Sequence, residues 1–262
     1  MEVDRPSLSA PGLVSELVRP GGLWRDITVV AETGSTNTDL LQAAAAGAAE
    51  GAVLAAEAQT AGRGRMGRPW LSPPRAAVIF SVLLRPAGVP IGDWGWLPLL
   101  AGVAAASALR RVAAVEAVLK WPNDVLVGQR KLAGILAEQS GNAIVVGMGI
   151  NVSAVPAGDA GAGATSIEAE GAGRVAREEL LAGVLRELED RYRRWTADPD
   201  GSGVRQEYES LCDTTGRTVR VELPGGRVIT GTAAEIDSHG RLVLQADATL
   251  TAVSAGDVVY VR

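Results

Sequence analysis

Apolar and polar positions recur with two different periods over roughly the first 213 residues. Short apolar runs bounded by turn residues predict strands, whereas apolar positions spaced three and four apart predict helices. The predicted strands are 27–31, 52–58, 77–84, 118–121, 125–127, 132–139 and 143–151. The predicted helices are a short one at 12–19, one that begins at Ser35 or Thr36 and ends at Gly47, and further ones at 93–114, 174–195 and 204–211. Only tight turns separate the last four strands, so we expect them to be antiparallel neighbours.

The pattern becomes almost purely strand-like from Gly216 to Arg262. Five short strands, with turns at 224–226 and 237–240, predict a small barrel of the SH3-like kind. The expected organisation is a loose tail at 1–22, a main α+β domain at 23–213 and a small β domain at 214–262. The Ala- and Gly-rich stretch at 153–173 is expected to be a surface loop.

Composition and charge narrow the functional classes. The chain has 262 residues and a net charge of −5, and this acidic balance disfavours a protein that mainly coats nucleic acid. The single cysteine, Cys212, excludes an internal disulfide and a Cys-rich metal site. The first residues lack the basic and apolar segments of a signal peptide, and the longest apolar stretch, 94–109, is shorter than the roughly 20 residues that cross a bilayer. These features predict a cytoplasmic protein without a membrane span.

Lysine is scarce in a chain that is otherwise rich in arginine. Of 25 basic residues only Lys120 and Lys131 are lysines, whereas arginine supplies the rest. A lysine retained against this bias is expected where a compact, flexible ammonium cannot be replaced by a planar guanidinium. The two lysines are therefore candidate functional residues before any motif is considered.

The segment from Gly62 to Trp70 alternates glycine and arginine and contains a G-x-G-x-x-G pattern at 62, 64 and 67. In a dinucleotide-binding fold that pattern opens a helix, which Pro69 and the prolines at 73–74 disfavour. Glycines allow close approach of the backbone to an anion, and arginines neutralise it. We therefore expect a loop for a phosphate or an adenylate, mobile without its ligand; the alternative is a solvated basic loop.

Three further segments carry candidate chemistry. Lys120–Asp124 offers a cation, an amide and a carboxylate at a strand end, although a plain turn would have the same sequence. Arg130–Glu138 contains the second lysine and Gly134, which allows a ligand to approach a strand. Gly147–Asn151 has two glycines within a strand, which indicates that something packs closely on that backbone. The alternatives here are a lysine at a hairpin turn and a close strand–helix contact.

In this order, and with Glu32–Asn37 upstream, these segments resemble those of the biotin protein ligases over residues 25–262. The resemblance implies a catalytic domain related to class II aminoacyl-tRNA synthetases and lipoate ligases, with a mixed, largely antiparallel sheet flanked by helices. It also implies an SH3-like C-terminal domain. The implied reaction joins biotin and MgATP to give biotinyl-5′-AMP, from which biotin passes to a lysine of a carrier domain.

The resemblance also implies roles for individual residues. The implied catalytic residues are Lys131, Arg65 and Asp124. The implied biotin-binding residues are Ser35, Thr36, Asn37, Gln59, Arg63, Gly64, Arg65, Lys131 and Gly134. The implied ATP- and adenylate-binding residues are Arg63, Arg65, Arg68, Trp70, Asn123, Lys131 and Asn151. No metal ligand from the protein is expected, and Mg²⁺ is expected to bind with the nucleotide.

The implied partners are biotin carboxyl carrier domains of the acetyl-CoA or acyl-CoA carboxylase and pyruvate carboxylase type. Only about 25 residues precede the resembling region, which leaves no room for a winged helix-turn-helix, so no sequence-specific DNA binding is expected. A monomer or a weak homodimer is expected. The alternatives are a lipoate-type protein ligase, a catalytically idle biotin-binding protein and, more remotely, a dinucleotide-dependent reductase.

Overall fold

The computed structural model describes residues 5–153, 155 and 163–261 and shows an α+β fold with two sheets. The first sheet contains β1 (Asp26–Val30), β2 (Ala52–Ala56), β3 (Ala77–Leu84), β4 (Val118–Lys120), β5 (Asp124–Val127), β6 (Arg130–Ser140) and β7 (Ala143–Asn151). The helices are α1 (Ala10–Leu17), α2 (Thr36–Ala45), α3 (Trp96–Ala113), α4 (Arg177–Ala197) and α5 (Val204–Leu211). The second sheet contains β8 (Thr218–Glu222), β9 (Val228–Ile236), β10 (Leu242–Ala246), β11 (Thr249–Val253) and β12 (Asp257–Tyr260).

The strands of the first sheet lie in the order β1-β2-β3-β7-β6-β5-β4. Only β1 and β2 are parallel, and every other neighbouring pair is antiparallel. The expectation of a mixed, largely antiparallel sheet is therefore confirmed, as is the antiparallel series from β4 to β7. Lys120 and Lys131 do not lie on adjacent strands, because β5 separates β4 from β6.

Helices cover both faces of this sheet. On one face, α3 and α4 pack together over the main apolar core. On the other face, Leu40 and Ala44 of α2 pack against Leu83 of β3 and Val145 of β7. Among the described residues one segment, Ile91–Ala113, has the length and hydropathy of a membrane span, but 72% of its apolar window is buried within the protein. It is therefore a core helix, since burial accounts for its apolar character.

The second sheet has the order β11-β10-β9-β8-β12, with all neighbours antiparallel, and its five strands confirm the predicted SH3-like module. Its turn at Asp237–Gly240 contacts the first domain. The indole N–H of Trp121 donates to the Gly240 carbonyl at 3.0 Å, and that of Trp96 donates to the Ser238 carbonyl at 2.8 Å. Buried indoles need a partner for this hydrogen, so the two bonds fix where the small sheet sits.

The N-terminal segment differs from the loose tail expected for residues 1–22. From Arg5 onward it is packed: Leu8, Leu13 and Leu17 are buried in the main core. The Leu8 N–H donates to Glu57 Oε1 at 2.6 Å, and the second carboxylate oxygen of Glu57 pairs with buried Arg177 at 2.6 Å. The short helix predicted at 12–19 is present as α1, but the Pro and Gly content did not indicate that its leucines lie in the core.

The 153–173 stretch also departs from expectation in its described part, while 154 and 156–162 lie outside the described residues. The Lys131 N–H donates to the Gly163 carbonyl at 2.8 Å, and the Thr165 N–H donates back to the Lys131 carbonyl at 2.8 Å. Thr165, Ser166 and Ile167 are buried. Residues 163–165 are therefore held by main-chain hydrogen bonds against the start of β6, where the small Gly163 lets the two backbones approach closely.

Candidate active site

A cavity of about 380 Å³ lies over β6 and β7, between the N-terminus of α2 and the segment that follows β2. All fourteen residues to which the resemblance assigns a role line it: Ser35, Thr36, Asn37, Gln59, Arg63, Gly64, Arg65, Arg68, Trp70, Asn123, Asp124, Lys131, Gly134 and Asn151. These residues come from six separate parts of the chain, and the fold brings them to one place.

Glycines on neighbouring strands form the floor of the cavity. Gly134 of β6 pairs with Gly149 of β7, and the indole of Trp70 lies over both. A methyl group at position 149 would come within 2.4 Å of ring carbon Cε2 of Trp70, and one at position 134 would come within 3.2 Å of Lys131 Nζ. Side chains at these two positions would collide with residues of the site, which explains the glycines that the sequence places within strands.

One end of the cavity is neutral and polar. Ser35 caps α2 by accepting the Thr38 N–H at 3.4 Å. The Thr36 N–H donates to Gln59 Oε1 at 2.8 Å, so the end of the loop beside β2 is tied to the start of α2. Next to them lies Asn37, whose Oδ1 is packed on the backbone of Gly147. Neutral donors and acceptors of this kind suit an uncharged hydrogen-bonding group.

The other end carries the charges. Lys131 Nζ lies 2.6 Å from Asp124 Oδ1, and Asp124 pairs across the ladder with Gly134. Arg65 donates to Asn123 Oδ1 at 3.1 Å and to the Gly256 carbonyl at 3.2 Å. Gly147, beside the neutral end, lies on β7 two residues from Gly149. Gly149 pairs with Gly134 of β6, which lies beside the charged end. The two ends of the cavity are therefore neighbours on the sheet.

Burial perturbs two of the cations. The pKa of the Arg65 guanidinium is lowered, chiefly by burial and also by Arg68, against the opposing effect of Asp257 and Asp124. The pKa of Lys120 is also lowered, chiefly by burial, against the opposing effect of Asp124. Lys120 does not line the cavity; its ammonium lies 5.0 Å from the centre of the Tyr260 ring. The motif that contains it therefore supplies Asn123 and Asp124 to the cavity, while Lys120 contacts the small sheet.

The Gly62–Trp70 loop has no α-helix, as the prolines predict. Only Arg65–Gly67 forms a single 3-10 turn, with Met66 in the left-handed region at φ 54°. The Trp70 N–H donates to the Gly62 carbonyl at 2.8 Å, and the Gly64 N–H donates to the Arg68 carbonyl at 2.7 Å. The loop is thus a small hairpin laid over the cavity.

Sequence reasoning missed several residues that border the site. Asp257 of β12 lines the cavity and pairs with Arg68, and Ala164 lines it beside Lys131. Ser81 and Glu138 hold Asn37 from behind. None of these residues stands in a pattern of its own; each reaches the site through pairing or docking between distant parts of the chain.

Among the residues that the structure describes, the carboxylates near the cavity are too few to bind a metal ion by themselves. In the described part of the chain, no group of three His, Cys, Asp or Glu side chains converges. Asp124 and Asp257 are the carboxylates that line the cavity. Mg²⁺ commonly uses one or two protein carboxylates together with substrate phosphates, so these two oxygen donors fit an ion that arrives with a nucleotide.

Comparison with known proteins identifies the architecture. Residues 29–154 match the family model described as "Biotin/lipoate A/B protein ligase family", and residues 214–260 match "Biotin protein ligase C terminal domain". The biotin–[acetyl-CoA-carboxylase] ligase of Mycobacterium tuberculosis is 46% identical over 98% of this chain and 97% of that protein. The bifunctional ligase/repressor BirA of Bacillus subtilis is 29% identical over 94% of this chain and 76% of that protein.

Solved structures agree. The biotin protein ligase of Aquifex aeolicus in complex with biotin and ATP superposes with a TM-score of 0.78 at 27% identity, over 91% of this chain and 100% of that one. The Leishmania major biotin protein ligase with biotinyl-5-AMP gives 0.64 at 27% identity, over 87% of this chain and 98% of that one. With two family models and a 46% identical relative of the same length, the chain belongs to the biotin protein ligase family.

Proposed function

We propose that the chain activates biotin with MgATP to biotinyl-5′-AMP and transfers biotin to a lysine of a biotin carboxyl carrier domain. The observation that carries the proposal is that one cavity has both a neutral polar end and a cationic end. Biotin has the same division: an uncharged ureido ring at one end and a carboxylate at the other. The relatives named as biotin ligases support the same reaction.

At the neutral end, Ser35, Thr36 and Gln59 face the ureido ring, which both donates and accepts hydrogen bonds. The valeryl chain then runs beside the indole of Trp70, which lies on Gly134 and Gly149 and borders the cavity. The two glycines let that indole pack against the strands, so that its ring supplies an apolar wall for the chain.

At the cationic end, the biotin carboxylate must approach the α-phosphate of ATP, although both are anions. Arg65, Arg68 and Lys131 line this end of the cavity and offset the repulsion and the charge that develops in the transition state. Arg63 lies at the other end, where it contacts Thr38 and Glu138. Arg65 is already positioned by Asn123 and Gly256, so its guanidinium needs little reorganisation. Preorganised charge of this kind is the main contribution that a protein makes to adenylation.

The nucleotide lies at the side bordered by Trp70, Asn123 and Asn151. Asn151 is buried, donates to the Thr165 carbonyl at 3.0 Å and keeps its Oδ1 without a protein partner, so it has an acceptor for the base or the ribose. Asp124 and Asp257 line the cavity and are the carboxylates that would hold Mg²⁺ arriving with the nucleotide, which would offset the charge of the leaving pyrophosphate.

In the transfer step, the amine of the carrier lysine attacks the biotinyl carbonyl, the C–O bond to the phosphate breaks and AMP leaves. Asp124 accepts the proton that the amine loses. Asp124 is held by Lys131 in the present arrangement. When Lys131 turns to the anionic ligand, the carboxylate is released and becomes a proton acceptor within reach of the incoming amine.

The carrier domain docks on the edge of β6. This strand continues to Ser140, but β5 pairs with it only as far as Gly134, so positions 136–140 have no strand neighbour on that side among the described residues. An unpaired strand edge accepts a strand of a partner by main-chain hydrogen bonds. This edge begins two residues beyond Gly134, the partner of Asp124, so a strand added there would lie beside the cavity.

A lipoate-type ligase is the alternative that shares this fold, and the family model for 29–154 includes both groups. The neutral polar end favours biotin, because the dithiolane ring of lipoate has no hydrogen to donate. The match of 214–260 to the biotin protein ligase C-terminal domain supports the same choice. We further propose a cytoplasmic monomer or weak homodimer that does not bind DNA specifically.

The test is incubation of the purified chain with biotin, MgATP and a biotin carrier domain. The expected result is a mass gain of one biotinyl group on a single carrier lysine, together with biotin-dependent ATP–pyrophosphate exchange. Binding of biotin without exchange would identify an idle binding protein instead, and modification by lipoate at the rate seen with biotin would favour the lipoate group.

A further inference from the structure

Ser81 is a buried polar residue at the centre of an apolar strand. In β3 (Ala77–Leu84) it is flanked by Phe80 and Val82 and has no exposed surface. Its hydroxyl oxygen lies 2.6 Å from Asn37 Oδ1 and 2.7 Å from Thr36 Oγ1. Burying a hydroxyl costs free energy unless it forms hydrogen bonds. Ser81 forms two of them, both with residues at the start of α2.

Glu138 holds the same asparagine from the other side. Its Oε2 accepts from Asn37 Nδ2 at 2.8 Å, and Arg63 Nη2 lies 3.2 Å from its Oε1. The remaining hydrogen of Asn37 Nδ2 is donated to the Leu136 carbonyl at 3.1 Å. Both N–H bonds of the Asn37 amide are therefore used within the protein.

The carboxylate fixes the direction of this chain of hydrogen bonds. A carboxylate only accepts, so the Asn37 amide must turn its NH₂ to Glu138 and its oxygen to Ser81. The Ser81 hydroxyl has one hydrogen, and Asn37 Oδ1 can only accept it. The single hydrogen of the Thr36 hydroxyl has two possible acceptors, Ser81 Oγ at 2.7 Å and Gln59 Oε1 at 3.1 Å, and the shorter contact with Ser81 takes it. Each orientation follows from the one before it, beginning at Glu138.

The chain ends at the residue that faces the ligand. The Thr36 N–H donates to Gln59 Oε1 at 2.8 Å, which turns the Gln59 NH₂ away from Thr36 and towards Gly62, where a methyl group would come within 2.8 Å of Nε2. Gln59 lines the cavity, and its NH₂ donates to no protein acceptor in the described part of the chain, so the group is available to the ureido oxygen of biotin. In contrast, Asn37 has no donor left for a ligand.

We infer that Ser81 and Glu138 are positioning residues for the biotin-binding end of the cavity, and that Asn37 acts through them as a buttress rather than as a direct ligand of biotin. The inference rests on the proposed function, because it concerns how that site recognises biotin. It predicts that the two residues affect biotin binding through the same amide, and that they leave ATP recognition unchanged.

The experiment measures biotin affinity by calorimetry and the KM for ATP by pyrophosphate exchange, using the full chain. Ser81→Ala and Glu138→Ala are each expected to weaken biotin binding about tenfold, the scale of one lost buried hydrogen bond, while the KM for ATP stays within about twofold. Glu138→Gln keeps an acceptor for Asn37 and is expected to restore most of the affinity. The double variant Ser81→Ala/Glu138→Ala is expected to lose much less than the product of the single losses.

The matched control is Glu116→Ala, which removes a carboxylate that pairs with Arg110 on the surface, away from the cavity. It is expected to bind biotin as the wild type does. The inference is overturned if the folded Ser81 and Glu138 variants bind biotin within twofold of the wild type, if their losses multiply, or if the KM for ATP rises equally. If Ser81→Ala fails to fold, the biotin affinities of Glu138→Ala and Glu138→Gln still test the inference, which is overturned if the two are equal. A wild-type chain that binds no biotin would overturn the proposed function itself.

Discussion

Lys131 is held by three different contacts at the charged end of the cavity. Its ammonium pairs with Asp124, its backbone is bracketed by Gly163 and Thr165, and its side chain lies over Gly134. About a third of the side chain remains exposed, so it is not a core residue whose loss would unfold the protein. These contacts place the charge without burying it.

Lys131→Ala is therefore expected to lower the rate of adenylate formation by about 10²-fold, the scale for removal of one group that stabilises transition-state charge. Lys131→Arg is also expected to be impaired, because a planar fork does not fit the space that a point charge occupies over Gly134. Biotin-dependent ATP–pyrophosphate exchange measures both, and thermal unfolding checks that the variants are folded. A folded Lys131→Ala protein with wild-type exchange would contradict the assigned role.

The three tyrosines give a second prediction at this scale. Burial raises the pKa of Tyr260 to about 12, and burial also raises the pKa values of Tyr192 and Tyr208 well above the ordinary value. Because the folded pKa values exceed the ordinary value of 10.0, burial of the neutral phenols stabilises the protein fully below pH 10. For Tyr260 this contribution is lost as pH rises through 12.

An alkaline titration followed by tyrosinate absorbance tests this. The native protein is expected to show little tyrosinate as pH passes 10, whereas the chain in denaturant titrates all three residues there. Native-state titration of one tyrosine near pH 10 would show that its ring is not buried as described.

Single residues differ in how far sequence reveals them. Lys131 was indicated by the scarcity of lysine and by its motif, and Arg65 by its glycine-rich surroundings. Ser81 and Glu138 carried no such signal. Their role depends on Asn37, which is separated from them by 44 and 101 positions along the chain, and only the register of β3, β7 and β6 brings them together.

At the scale of elements, the Gly62–Trp70 loop is held at its base by the Trp70–Gly62 hydrogen bond and by Arg65, whereas its tip and its other two arginines are exposed. Met66 is largely exposed at its tip, and the ion pairs of Arg63 and Arg68 with carboxylates are partly exposed. Exposed pairs contribute little stability, and glycine has much conformational entropy to lose. An anionic ligand that pairs with Arg63, Arg65 and Arg68 together adds the missing contacts.

The loop is therefore expected to become more ordered when biotin and ATP bind. Limited trypsinolysis at Arg63, Arg65 and Arg68 measures this: cleavage is expected to be rapid in the free protein and much slower with both substrates. Cleavage at a site such as Arg220 in the small sheet is the internal control, since it is distant from the loop in sequence and is not expected to change. Equal sensitivity of the loop with and without substrates would contradict the prediction.

For some elements, the pattern of apolar residues is enough to predict where a strand begins and ends. β3 and β7 are buried on both faces, and their continuous apolar runs, Ala77–Leu84 and Ala143–Asn151, predicted both strands to the residue. The short N-terminal helix was predicted, but the segment was expected to be loose, and its packing against the core was not foreseen. Its stability comes from Glu57 and Arg177, which lie far away in sequence.

At the scale of the whole molecule, the small C-terminal sheet forms part of the site. Gly256 accepts from Arg65, and Asp257 pairs with Arg68 and lines the cavity. The five strands could be predicted from alternation, but the face they turn to the first domain could not. That face depends on the bonds from Trp96 and Trp121 to the Asp237–Gly240 turn, and indole hydrogens leave no periodic signal in a sequence.

The distribution of charge over the molecule leads to the last prediction. The 262-residue chain carries a net charge of −5, and the arginines of its dense basic segment are committed within the protein: Arg63 to Glu138, Arg65 to Asn123 and Gly256, and Arg68 to Asp257. Specific DNA binding requires several cations free to contact phosphates, and it weakens steeply with salt. We therefore expect no sequence-specific binding by this chain, with or without biotinyl-5′-AMP, because the adenylate engages the same arginines. A gel-shift assay on promoters of biotin genes measures this, with unrelated DNA as competitor and the salt concentration varied. A complex that survives both competitor and salt would contradict the prediction and would require a DNA-binding surface elsewhere on the molecule.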